Sequence, residues 1–230
     1  MAGTTKMSTV WEQVTAKAKL VSLPEVYFQL KNLLDLPEYS LKDVAAVVEQ
    51  DPALTARLLR LVNSAFFGLA VRVDTVHRAI NMLGAWQVHD LALATSVAQT
   101  FEDMSNEVMD MRSYWQDSVL CALSARLLAE KCNVLDSDRL FVAGLLRDIG
   151  HLVMYQSVPQ LAQQALTLAA DSGRPIFLVE RETIGLDYAR VGAVLMRQWR
   201  LPDSLREATE FHVEPGRAMA FPLEAFLVHI

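Results

Sequence analysis

Glycine and proline are scarce in this chain, at 9 and 8 of 230 residues, and they never gather into a turn-rich stretch. That argues against a β-sandwich or barrel, which needs many tight turns, and against a disordered chain. Cysteine is nearly absent. Cys121 and Cys132 fall on one predicted helix, about 16 Å apart at a rise of about 1.5 Å per residue, which is beyond disulfide reach. They read as reduced core thiols of a cytosolic protein. Blocks of basic residues are missing and the net charge is −6, so duplex nucleic acid is not an expected partner. No signal peptide is expected, since Met1 to Thr9 is polar. The uncharged run from Ile149 to Ala170 holds Gln156, Pro159, Gln160, Gln163 and Gln164, too polar for a membrane span. A cytoplasmic protein without membrane contact is expected. Nucleophile elbows, P-loops and dinucleotide fingerprints are absent as well.

What is present is apolar surface, 52% of residues, enough for a sizeable core, and it recurs at helical spacing. The pattern predicts an all-α fold, a multi-helix bundle of two subdomains. Ser22-Leu23-Pro24 opens a helix carrying Val26, Leu30, Leu33 and Leu34. Ser40 with Asp43 forms a capping box for 41–50. Asp51-Pro52 opens the next helix, whose stripe is Leu54, Leu58, Leu61, Val62 and Ala65. Asp74 caps 75–83, and Gly84 stops that helix. A long helix follows over 85–101. The polar interval 101–113 marks a boundary, so the expected division is a first helix or extension over 1–19, an N-terminal helical part over 20–104 and a second helical part over 105–230. In that second part helices are expected at 114–131, from Asp136-Ser137 to Leu146, and at 158–170, 176–184, 187–199 and 202–212. Leu223 to Ile230 looks like a helix cut in mid-course, so the chain is expected to continue beyond 230.

Two segments carry a resemblance. One is Asp51 to Gly68, ending Asn63-Ser64-Ala65-Phe66-Phe67-Gly68, followed by Val76 to Gly84. The other is Phe141-Val142-Ala143-Gly144-Leu145-Leu146-Arg147-Asp148-Ile149-Gly150-His151. In order and spacing they resemble the HDOD domain, a bacterial regulatory relative of the HD and HD-GYP phosphohydrolases. The likeness covers roughly 20–215. Asn63, Ser64, Phe67 and Gly68 belong to its more specific block. The resemblance implies an N-terminal helical part packed on an HD-like part, and a signalling role without catalysis.

HD hydrolases hold divalent metals with a histidine on an earlier helix, an adjacent His-Asp pair and a later aspartate. Through the resemblance, Asp117 takes the first position, Arg147 replaces the paired histidine, Asp148 remains, and the last aspartate would lie at or beyond His229 and Ile230. His151 stands at the HD-GYP lysine, and Tyr188 replaces a histidine. Guanidinium has donors only and cannot ligate a metal. A vestigial site of Asp117, Arg147, Asp148, His151 and His212 is therefore expected, with no catalytic residue, metal or cofactor. Arg147 paired with Asp117 or Asp148 would tie the site in the metal's place. His151 reads as a surface or capping residue rather than a ligand, and His77 and His89 as partly buried structural residues. Phe66 and Phe67 are expected in the core or at the subdomain junction, with Asn63 and Ser64 hydrogen-bonding across it. The leading expectation is a non-catalytic signalling module that binds protein partners. The alternatives are a nucleotide-binding sensor, with Arg147 and His151 holding a phosphate, and a residual metal-dependent phosphohydrolase. Pathway, partner and oligomeric state are not legible.

Overall fold

Side-chain caps start many of the helices. In the computed structural model, which describes residues 10–17, 21, 23–64, 67–101, 108–134 and 137–230, Ser40 accepts from the Asp43 amide and Asp51 from the amides of Ala53 and Leu54. Each bond satisfies donors that a first helical turn leaves open. Among the described residues there is no β-strand. Contacts divide the chain into two units: Leu23–Asp103, and a second containing helix 10–17 together with 108–230. Helix 10–17 thus groups with the C-terminal helices.

The Leu23–Asp103 unit contains α2 (Glu25–Leu34), α3 (Leu41–Glu49), α4 (Pro52–Val62), α5 (Val76–Leu83) and α6 (Ala85–Thr100); helix 10–17 is α1. Helix α6 packs against α2 and α4, while α3 packs against α2 and α5. The stripe expected on α4 is buried at Leu54, Leu58 and Val62, whereas Leu61 is half-buried; Ala65 lies outside the described residues. Thr75, not Asp74, caps α5 through the Arg78 amide, and Gly84 at φ 91° separates α5 from α6. Ser22, expected as a cap, lies outside the described residues, and Pro24 occupies the N-cap position of α2.

The second unit continues with α7 (Met111–Lys131), α8 (Ser137–Leu146), α9 (Ile149–Ser157), α10 (Pro159–Ser172), α11 (Ile176–Thr183), α12 (Tyr188–Gln198), α13 (Asp203–Phe211), a 3₁₀ turn (Pro215–Arg217) and α14 (Pro222–Leu227). Helix α7 starts at Met111 because Asp110 caps it through the amides of Arg112 and Ser113, three residues before the expected start. The predicted cap Asp136 lies outside the described residues. Helices α7 and α8 pack along one another; α9 packs on α12, α12 on α13, and α13 on both α8 and α14. The Trp199 indole, 2% exposed, donates to the Val21 carbonyl at 3.0 Å and ties that residue to the end of α12.

Two crossings admit only glycine. A Cβ on Gly150 would sit 1.9 Å from the Tyr188 carbonyl oxygen and 2.6 Å from the Gly192 nitrogen, both backbone atoms. A Cβ on Gly144 would lie 2.8 Å from the Ala122 Cα. The glycine of Asp148-Ile149-Gly150 therefore lets α9 and α12 touch backbone to backbone. Helix α9 itself was not expected. It is uncharged and buried at Ile149, Gly150, Leu152, Val153, Met154 and Tyr155, so it shows no polar face to mark its period. Helix α14 ends at Leu227, and the expected helix running on through Ile230 is not formed.

Candidate functional site

The loop between α8 and α9 presents Arg147 and Asp148. Arg147 Nε donates to Asp148 Oδ2 at 3.1 Å, and Nη1 donates to the carbonyls of Val228 and Ile230 at 2.9 and 2.5 Å. The two side chains are 17% and 21% exposed. Burial is the largest influence on Arg147 and works against its charge, but the charge of and hydrogen bond to Asp148, with Cys121 and Tyr188, together outweigh it and the pKa rises. Burial would likewise raise Asp148, yet its bond to His212 and the Arg147 guanidinium hold it down to about 2.

His212 caps the end of α13. Its Nδ1 donates to the Thr209 carbonyl at 2.7 Å, while Nε2 lies 3.1 Å from the Tyr188 hydroxyl and 3.4 Å from Asp148 Oδ1. His229 in turn donates from Nδ1 to the His212 carbonyl. Tyr188, first residue of α12, stacks on the His151 ring at 3.7 Å between centroids and 20° between planes, and Tyr155 stacks on the same His151 ring at 5.1 Å. His151 Nε2 approaches Glu180 Oε1 to 3.3 Å, an ion-pair distance without hydrogen-bond alignment, since both atoms lack a hydrogen-bond partner. Glu180, fully buried, uses its other oxygen to accept from the Tyr188 amide at 3.0 Å.

Of the residues expected at a vestigial site, Arg147, Asp148, His151 and His212 converge. Asp117 does not join them. It is exposed on α7 and makes no ion pair with Arg147, whose carboxylate partner is Asp148. The neighbouring positions Tyr114, Ser118 and Cys121 are the buried ones, and the Tyr114 and Cys121 side chains feel the charges of Arg147 and Asp148. Burial lifts the Cys121 thiol to about 11. One residue turns a helix by about 100°, which is the difference between Asp117 outside and Ser118 inside. His151 is no surface residue but part of an aromatic stack. His89 is buried as expected, whereas His77 is exposed.

Sequence reasoning missed Glu180, Tyr155 and Glu207. Glu207 on α13 accepts from the amides of Met219, Ala220 and Phe221 at 2.6, 3.0 and 2.9 Å. That clasp sets the entry to α14 and so brings Val228 and Ile230 to Arg147. No local motif signals it, because its partners lie more than ten residues away.

Asp148 is paired with a permanent cation, His212 Nε2 faces both Tyr188 and Asp148, and among the described residues no three His, Cys, Asp or Glu side chains converge as metal ligands.

In the other unit Asn63 ends α4. Its amide donates from Nδ2 to the carbonyls of Leu59 and Val73 and accepts from the Val73 amide, all at 2.7 Å. These bonds lie within that unit, not across a junction as the sequence suggested. The Ser64 hydroxyl is buried and has no hydrogen-bond partner among the described residues. Phe67 is half-buried, Gly68 is exposed at φ +55°, and Phe66 lies outside the described residues.

The profile of the HDOD domain matches residues 20–215. The chain belongs to the HDOD domain family. A candidate phosphohydrolase of Shewanella amazonensis has the same fold at a TM-score of 0.80, with 27% identity over 94% of this HDOD chain and 77% of that one. An HDOD domain protein of Geobacter sulfurreducens, of unknown function, also reaches 0.80, with 21% identity over 97% and 76% of the two chains. An uncharacterised protein of Treponema pallidum is 24% identical over 191 residues, which are 83% of this chain and 37% of that protein. The HDOD chain thus spans little more than a third of that relative's length. No helix among the described residues is long and apolar enough to cross a membrane.

Proposed function

We propose that this HDOD chain is a non-catalytic regulatory module of bacterial signal transduction, working in the cytoplasm through contacts with protein partners. The observation that carries the reading is Arg147. Its guanidinium stands beside Asp148, where the wider superfamily places a metal-ligating histidine, and binds Asp148 and two backbone carbonyls instead. A metal-activated water needs open coordination at a bound ion, and a fixed cation in the same cluster opposes one. The bonds Arg147 already makes through Nε and Nη1 also weigh against its use as a phosphate clamp. The experiment is a turnover screen with nucleotides and cyclic dinucleotides in the presence of magnesium or manganese. No hydrolysis above background is expected. Turnover that disappears in Asp148→Ala would overturn the reading.

A further inference from the structure

One face of α4 and the loop that follows it enclose a groove of about 770 Å³ that no motif predicted. Ala56, Leu59, Arg60 and Asn63 line one wall, the i, i+3, i+4, i+7 face of the helix, opposite buried Leu54 and Leu58. The other wall includes Arg72 and Val73. Asn63 builds the groove: its amide grips both backbone polar groups of Val73 at 2.7 Å and holds the loop alongside the helix. Each wall carries one exposed arginine, and among the described residues neither Arg60 nor Arg72 makes an ion pair. The one carboxylate at the rim, Asp74, is 3.7 Å from Arg78. In a chain of net charge −6, this is a cationic groove with an aliphatic floor.

Those features select the ligand. Two guanidinium forks suit carboxylates or phosphates. Among the described residues none that lines the groove is aromatic, so this part of the lining offers a nucleobase no ring to stack on. The half-apolar floor instead takes aliphatic side chains between charged ones. We infer that the α4–loop groove docks an extended segment of a partner protein in which acidic residues flank aliphatic ones, its carboxylates meeting Arg60 and Arg72. This rests on the reading of the chain as a protein-interaction module, and it assigns the Asn63 block the task of shaping the surface.

The probe is the acetylated hexapeptide Leu-Glu-Leu-Asp-Glu-Leu, titrated into the full chain while backbone amide resonances are followed. Shifts are expected to concentrate at 56–63 and 69–74 and to weaken as salt is raised. The double variant Arg60→Glu, Arg72→Glu should weaken binding by at least about tenfold, and the neutral pair Arg60→Gln, Arg72→Gln by less, with melting unchanged because both side chains are exposed. A peptide with lysine at the acidic positions should not bind. Absence of shifts at millimolar peptide, shifts centred elsewhere, affinity indifferent to charge reversal, or tighter binding of ADP than of the peptide at the same residues would each overturn the inference. Such a failure leaves the account of Arg147 intact, and metal-dependent turnover would leave the groove result intact.

Discussion

Arg147 meets three acceptors at once, and each depends on the others: Asp148 from the same loop, and the carbonyls of Val228 and Ile230 from the far end of the chain. Truncating Arg147 leaves Asp148 without the guanidinium and the two carbonyls without that donor. Arg147→Ala should therefore lower stability by roughly 3–5 kcal/mol in urea unfolding. Asp148 adds a pH dependence. Its folded pKa of about 2 lies below its ordinary 3.8, so its contribution is complete above about pH 4 and is lost as pH falls towards 2. The shift corresponds to about 2 kcal/mol. Asp148→Asn should flatten the acid limb of the stability profile between pH 4 and 2, and an unchanged limb would contradict the pairing. At this scale the sequence was readable where chemistry is local. Arg147 and Asp148 are adjacent, and an arginine in a ligand position announces itself. Asp117 was misplaced because motif spacing does not resolve which side of a helix faces inward. Glu207 and Glu180 were invisible because their partners are distant in sequence.

Helix positions follow from glycine as much as from hydrophobic stripes. Gly150 lies where α9 crosses α12, with the Tyr188 carbonyl oxygen 1.9 Å from where a Cβ would stand. Since the opposing atoms are backbone, the helices must separate to admit a methyl group. Gly150→Ala should cost roughly 3 kcal/mol or more and reduce soluble yield. Gly68→Ala is the contrast: φ is +55° but the space around it is open, so about 1–2 kcal/mol is expected from backbone strain alone. Thermal melting of the two variants separates steric crossing from strain, and equal losses would contradict the crossing argument. Starts of α3 and α4 were legible because Ser40 and Asp51 cap within the next few residues. Helix α9 was not, because a segment buried all round carries no amphipathic period.

Over the whole molecule, contacts divide the chain into two helical units. One is organised around the Arg147 cluster; the other presents the Asn63 clasp and its groove. The all-α class was legible from sparse turns and helical periodicity, and the family from two separated blocks, but the return of α1 to the C-terminal unit was not, since no local pattern encodes that contact. We propose that in the Arg147 cluster an internal cation has taken the place of a metal. The most direct measurement is the melting temperature of the wild type and of Arg147→His, each with manganese and with a chelator. The wild type should melt at the same temperature in both, while Arg147→His loses stability that manganese does not restore, since Asp117 faces outward and cannot complete a ligand set. A wild type stabilised by manganese and destabilised by chelator would contradict the account.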